Sequence, residues 1–551
     1  MPENTSKKTQ RILILQGGGA LGAFEAGAIK AFCEDLYSEN QENKNNSSAR
    51  NDLLFDIVAG ASIGAVNAAI LVHNVIHPTA TKDGTAKDIW ENASNQLCNF
   101  YDDISTRGGV QHPMWWVDNY FLESSIFKNF WSQWDSIRKI WAAQTDNFLS
   151  LQNKKYVEQS IAGNPFLSGL YFALFPDKWG LPADSEIARR YYSYWWSLIF
   201  GTPGVLGPAM TQPDMKFLDP LGITHVFARF NNDPLAETMK NYWNFNDKKY
   251  SSIKTTKTEE GKQPRLLVVT TDVQDFTTPV LFDSYAKKSK EPKNDKPEWY
   301  SEYGMPLDDG TERSKYRIDY PQGITIDHIK ASMATPLRYE YPVFQVLNQE
   351  KNTREERTFW DGAFLANTPL RQVMKAYREY WKDNDSEDIP ELEIFIIDLY
   401  PSIEEGSSIP ASQDTIQDRQ TDITFHDRTK YEVRINQMRS DYVELLEKLV
   451  PIAQKQDALL VEKILNGNSR KQNTSRNQSR FVKKKDLFDD RFKIGRVVYV
   501  ERVEKTGSTI FGKAFDFSPK TLSELKERGY DAAKSAFLKC TLEHEEFCNS
   551  A

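Results

Sequence analysis

Residues 53–76 read LLFDIVAGASIGAVNAAILVHNVI, and the succession of a short apolar run, a glycine-flanked serine and a longer apolar stretch decides the fold. LLFDIVAG (53–60) has the length and β-branched content of a buried strand, and IGAVNAAILVHNVI (63–76) reads as a helix. The same unit stands just upstream. RILILQ (11–16) is an apolar run ended by Gly17, Gly18 and Gly19, after which Ala20 to Tyr37 shows helical apolar spacing, and the aperiodic polar stretch SENQENKNNSSARND (38–52) separates the two units. Two successive strand-turn-helix units imply an α/β fold with a parallel sheet and helices on both faces.

Further out, the rhythm breaks at about residue 79 and gives way to an aromatic-rich, mainly helical insertion over about 79–214, with DPLAETMKNYW (233–243) as a clear helix beyond it. The α/β pattern resumes with the strand RLLVVTTDV, a hairpin around TTPVLFDSY and a helix at DHIKASMAT. YPVFQVL, RTFWDGAF, a helix from Pro369 to Trp381 and the strand LEIFIIDLY follow, so the sheet is completed late in the chain. The expected organisation is a disordered start (1–10), a catalytic domain (11–400) carrying the insertion, and a helical C-terminal extension (401–551). In that extension an amphipathic helical stretch (about 426–466) precedes a basic linker (about 467–485). A strand candidate, GRVVYVERV, and a terminal helix opened by Ser518 and Pro519 complete it.

Bulk composition narrows the function classes. A formal charge of -8 over 551 residues argues against a nucleic-acid binder, which carries a basic stripe. Cys33, Cys98, Cys540 and Cys548 form no C-x-x-C pair and share no ligand spacing with the seven histidines, so no metal is expected. The polar MPENTSKKTQ start lacks the apolar core of a secretory signal, and no stretch approaches a membrane span. The expectation is a cytoplasmic protein whose membrane contact, if any, is peripheral.

Three short motifs carry chemistry. Gly60-Ala61-Ser62-Ile63-Gly64 lies between a strand and a helix, the context in which G-x-S-x-G presents a nucleophilic hydroxyl on a sharp elbow. The glycine run with Gly22 and Gly27 also lies between strand and helix, and its bare amides form a nest for an oxyanion or a phosphate. Read as Gly17-x-Gly19-x-x-Gly22, it also matches a dinucleotide-binding loop, although the acidic residue expected on a second strand about 20 residues later is missing. Asp361-Gly362-Ala363, taken alone, is a turn signal.

In this order the three motifs resemble the patatin-like phospholipase family: a glycine-rich loop, G-x-S-x-G, and a distant D-G-[GA]. The resemblance extends through AGASIGAVNAA, KFLDPLGI, VVTTDVQD and IKASMATPLRYEYPVF, covering about 11–78 and 215–400. The tail AFDFSPKTLSELKERGYDAA is similar to the end of a group of bacterial patatin-like proteins. The resemblance implies a three-layer α/β/α sandwich and hydrolysis of lipid or phospholipid acyl esters with neither metal nor organic cofactor. It makes Ser62 the nucleophile, Asp361 the base, and the amides of Gly17, Gly18 and Gly19 the oxyanion donors, with Gly22, Gly60, Gly64, Gly362 and Ala363 as motif positions. One departure is Leu21, where family members often carry Arg or Lys. A catalytically silent lipid-binding protein is the other alternative, against which both Ser62 and Asp361 count.

Tryptophans cluster in the insertion: Trp90, Trp115, Trp116, Trp131, Trp134, Trp141, Trp179, Trp195 and Trp196. They fit either an aromatic core or a surface that meets lipid, where indoles favour the boundary with water. The basic run from Arg470 to Lys485 reads as a solvated linker, with contact to anionic headgroups as the alternative. None of the histidines stands where a serine triad on such a sheet would need one.

Overall fold

The computed structural model describes residues 9–45, 53–78, 86–105, 207–208, 230–243, 251–287, 298–307, 313–336, 341–383, 389–400, 413–426, 429–473, 479–483, 493–503 and 513–550. Most of the aromatic insertion, including HPMWWVDNYF and YYSYWWSLIF, lies outside them. Of its named tryptophans only Trp90 is described, and it is buried in the main core.

Ten strands build one sheet. They are β1 (Thr9–Leu15), β2 (Ile57–Ala61), β3 (Arg265–Asp272), β4 (Val280–Asp283), β5 (Tyr300–Pro306), β6 (Ser314–Asp319), β7 (Val343–Asn348), β8 (Thr353–Asp361), β9 (Glu391–Asp398) and β10 (Lys493–Glu501). The order is β10-β9-β1-β2-β3-β8-β7-β6-β5, with β4 forming a hairpin on β3. From β10 to β3 the neighbours are parallel, and beyond β3 they are antiparallel.

Along β1, Leu13 and Leu15 face one core while Ile12 and Ile14 face the other, the two-residue alternation of a strand covered on both sides. The first face is covered by α1 (Gly22–Asn45), α2 (Ile63–Ile76), α3 (Ala86–Asp103) and, at its far end, α4 (Asp233–Met239) and α5 (Ile326–Met333). The second is covered by α6 (Leu370–Asp383), whose Leu370, Val373, Met374 and Tyr377 recur at helical spacing and bury together. The architecture is therefore the expected three-layer sandwich with helices on both sides of a mixed, mainly parallel sheet.

Several details differ from the sequence reading. Thr9 and Gln10 are not part of a disordered start: they extend β1 because Glu391 and Leu392 of β9 continue the ladder beside them. Strands β5 and β6, YSEYGMP and SKYRID, are too polar to stand out as buried runs. A helix not read from the sequence, α7 (Gln413–Phe425), precedes the amphipathic stretch, which is itself divided into α8 (Thr429–Gln456) and α9 (Ala458–Leu465), and Asp457 starts α9 by accepting the Leu460 amide at 2.9 Å. The basic stretch read as a linker forms a two-stranded antiparallel ladder, Asn468–Asn473 with Ser479–Lys483. The extension also enters the sandwich itself: β10 is the parallel edge strand beside β9, and α10 (Pro519–Ser550) packs along α1.

Candidate functional site

β2 ends at Ala61 and α2 starts at Ile63, which leaves Ser62 with φ 54° and ψ −127°. A side chain held in that region costs about 1–3 kcal/mol, so surrounding contacts must hold it there. Two are visible. The Ser62 amide donates to Ser332 Oγ at 3.0 Å. Gly64 lets α2 start directly against β1, since a Cβ there would lie 2.7 Å from the Leu15 carbonyl. The elbow thus presents the Ser62 hydroxyl above the carboxyl ends of β1 and β2, where open parallel sheets place their sites.

That hydroxyl donates to Asp361 Oδ2 at 2.7 Å. Asp361 closes β8, and its own amide donates to the Ala334 carbonyl at 2.9 Å, just past the end of α5. Its Oδ1 accepts the Ala363 amide at 2.9 Å, and Thr335 Oγ1 donates to Oδ2 at 3.3 Å. Asp361 is only 3% exposed. Burial pushes its pKa up from 3.8 to about 6, against the opposing hydrogen bonds from Ala363, Ser62 and Thr335. Gly362 donates its amide to the Ser332 carbonyl at 3.3 Å, so Ser332 grips both sides of the pair.

The glycine loop lies directly against the serine: a Cβ on Gly17 would sit 2.8 Å from Ser62 Cβ and 2.7 Å from Asn367 Oδ1. The Gly17 amide donates to that Asn367 oxygen at 3.0 Å, so of the three expected donors it already has an acceptor. The Gly18 and Gly19 amides have no acceptor among the described residues. Asn367 Nδ2 donates in turn to the Phe425 carbonyl at 2.9 Å, tying the loop to the end of α7.

Beneath the loop runs a buried polar network. Gln16, at the end of β1, donates its amide to Glu25 Oε1 at 2.7 Å and its side-chain nitrogen to Thr368 at 3.0 Å, while its Oε1 accepts the Leu399 and Tyr400 amides. Asn67 of α2 donates to Glu25 Oε2 at 2.7 Å and accepts from Tyr101 at 2.9 Å. Burial raises the Glu25 pKa well above the usual carboxylate range. This network joins the ends of β1 and β9 to α1, α2 and α3, and it fixes where the glycine loop begins.

The histidines are placed elsewhere. His73 is buried on α2 beside Trp243, and burial pushes its pKa down to about 3. His328 packs among Phe282, Tyr320 and Phe344, accepts the Thr325 amide at its Nδ1 as part of the α5 cap, and is likewise pushed down to about 3 by burial. Among the described residues no group of three His, Cys, Asp or Glu side chains could hold a metal ion. The second strand, where a dinucleotide-binding loop would be answered by an acid, ends at Ala61 and is followed directly by Ser62. The sequence reading missed Ser332, Thr335, Asn367 and Gln16. Their only signal was a polar residue inside an otherwise apolar or small-residue stretch adjoining a motif.

An α/β sandwich with a strained serine on a buried carboxylate beside a glycine loop is the framework of an acyl hydrolase. The family model described as patatin-like phospholipase matches residues 13–374, and the chain belongs to that family, whose general activity is lipid acyl hydrolysis. A comparison with curated proteins found no matching sequence. Among the described residues no helix is long and apolar enough to cross a membrane.

Proposed function

We propose that the protein cleaves lipid acyl esters through a covalent acyl-enzyme on Ser62, with Asp361 as the only base. The observation that carries this is the 2.7 Å hydrogen bond from the Ser62 hydroxyl, held on a positive-φ elbow, to a buried carboxylate. Ionised Asp361 takes the proton as Oγ attacks the ester carbonyl carbon. The negative charge that develops on the carbonyl oxygen is met by the amides of Gly18 and Gly19, and the dipole of α2 points its positive end at the same place. When the intermediate collapses, Asp361 returns the proton to the departing alcohol. It then removes a proton from water, which attacks the acyl-enzyme and releases the fatty acid.

Support for an apolar substrate comes from the rim beside the base. Phe364 and Leu365 follow Asp361 by three and four residues and are 45% and 39% exposed. Tyr341 is exposed next to Trp360, which in turn adjoins Phe364, so an aromatic lip flanks the carboxylate. Such a lip suits an acyl chain and peripheral contact with a lipid surface. Reaction of the full chain with a fluorophosphonate probe, followed by peptide mapping, tests the assignment: label on Ser62 that is lost in Ser62→Ala supports it. Absence of label, or label on another serine, would instead favour a silent lipid binder or a different nucleophile.

A further inference from the structure

The family model ends at residue 374, yet the segment from Lys513 onward reaches the glycine loop. Gly19 has φ +57°, and a Cβ there would run into the Ala514 carbonyl oxygen, with Ala514 Cβ 3.6 Å away. Ala514 belongs to the short turn Lys513–Phe515, which packs on the turn Gly19–Leu21. What fixes that turn is Asp516. It is buried, accepts the Ser518 amide at 3.1 Å through Oδ1, and accepts the Thr521 hydroxyl at 2.8 Å through Oδ2. These bonds cap the start of α10 and hold Lys513–Phe515 at a set distance from it.

The helix that carries the turn is docked by its backbone. A Cβ on Gly27 of α1 would strike the Lys526 carbonyl, and a Cβ on Gly529 of α10 would strike the Phe24 carbonyl, so each helix has a glycine where the other passes. Phe517, Leu522 and Leu525 bury with the main core. The other side of the loop is held from the extension as well. A Cβ on Gly18 would lie 2.6 Å from Leu399 Cδ1, and the Leu399 carbonyl accepts Arg502 Nε at 2.7 Å.

We infer that residues 513–518 form a positioning strut for acyl transfer, pressing on Gly19 so that the Gly18 and Gly19 amides hold the geometry that receives the developing oxyanion. The inference rests on the proposed role of those amides. Its physical content is that a preorganised donor is worth about 10²–10³ in rate only when it is held in place, and a glycine-rich loop without side-chain anchors cannot hold itself. The strut acts on the transition state and leaves ground-state binding alone.

The test uses the full chain and a soluble ester, p-nitrophenyl butyrate. Asp516→Ala should lower kcat about 10-fold with KM within twofold and an unchanged folded fraction at the assay temperature. Asp516→Asn, which keeps an oxygen for the Ser518 amide, should recover most of the loss. Lys534→Ala weakens the same helix pair elsewhere, at its contacts with Glu34 and Asp35 of α1, and should leave kcat unchanged. Should Asp516→Ala fail to fold, Thr521→Val removes one of the two Asp516 bonds and takes its place. The proposal is overturned if kcat stays within twofold of wild type, or if Lys534→Ala loses as much, which would make the extension a stabiliser alone. A folded Ser62→Ala measured in parallel reports on the underlying reading: if it retains activity, the nucleophile assignment fails whatever Asp516→Ala does.

Discussion

Ser332 Oγ accepts the Ser62 amide at 3.0 Å and donates its proton to the Val269 carbonyl at 2.6 Å, so a hydroxyl 270 residues along the chain pins the elbow to β3. Ser332 is fully buried at the end of α5, and the residues just past that helix, Ala334 through its carbonyl and Thr335 through its hydroxyl, also hold Asp361. One helix terminus therefore sets the relative position of both members of the pair.

Replacing Ser332 by Ala removes the acceptor of the part-buried Ser62 amide. The expected loss is about 1–3 kcal/mol of stability. Because the elbow then relaxes relative to Asp361, kcat on a soluble ester should fall about 10-fold. Urea denaturation and steady-state kinetics on Ser332→Ala check both numbers, and a kcat within twofold of wild type would show that Ser332 is only a structural plug.

The Ser62 backbone makes a second prediction, this time on stability. Ser62→Ala keeps a Cβ at φ 54° and so keeps the strain, whereas Ser62→Gly relieves it. Both should be inactive. Ser62→Gly should nevertheless be more stable than Ser62→Ala by about 1 kcal/mol, after allowance for the greater freedom of glycine in the unfolded chain. Thermal unfolding of the two inactive proteins side by side would refute the strain argument if Ser62→Ala came out the more stable.

With Asp361 as the proposed base, activity and stability should depend on pH with opposite signs. Its folded pKa, about 6, lies above the ordinary 3.8, so between these values the folded protein binds more protons than the unfolded chain. Stability is therefore greatest below the lower value and falls as pH rises to about 6, by about 3 kcal/mol in full. Catalysis needs the ionised form, so kcat/KM should rise through an apparent pKa near 6 and then level off. Asp361→Asn should remove the pH-dependent destabilisation while lowering turnover by at least about 10³-fold. A rate profile flat from pH 5 to pH 8 would be incompatible with this base.

The parts of the site that were legible in the sequence are the ones fixed by local geometry. An apolar run, a glycine-flanked serine and a helical stretch announce an elbow within a window of about 20 residues, and three adjacent glycines announce a loop of bare amides. Asp361 was legible only through its place in a family pattern, because an Asp-Gly pair means a turn until the fold brings it to β3. Ser332, Asn367 and Gln16 were not legible, since each acts through hydrogen bonds to backbone groups distant in sequence that only the folded sheet brings near. The same holds for the extension. Gly27 and Gly529 look like ordinary helix-weakening residues until α10 is laid on α1 and their missing side chains become the contact.

The proposed chemistry uses no histidine. His73 and His328 are buried with their pKa values pushed down to about 3, His73 packed beside Trp243 and His77 and His328 among Phe282, Tyr320 and Phe344, so neither is placed to exchange a proton with Ser62. His426, at the end of α7, is the described histidine nearest to the loop by connection. Its Nδ1 lies 3.4 Å from the Tyr400 carbonyl, and the preceding residue, Phe425, accepts from Asn367. His426→Ala should therefore retain at least half of the wild-type kcat, and any change should track the packing of Asn367. The same outcome is expected for His544→Ala, and for His112→Ala and His225→Ala, which fall outside the described residues. A carboxylate is a weak base for a serine hydroxyl, so the pair depends on strong oxyanion stabilisation and on the pKa lift that burial supplies to Asp361. If a folded His426→Ala or His544→Ala protein lost 10³-fold in kcat while Asp361→Asn kept its activity, a conventional triad would have to replace the dyad.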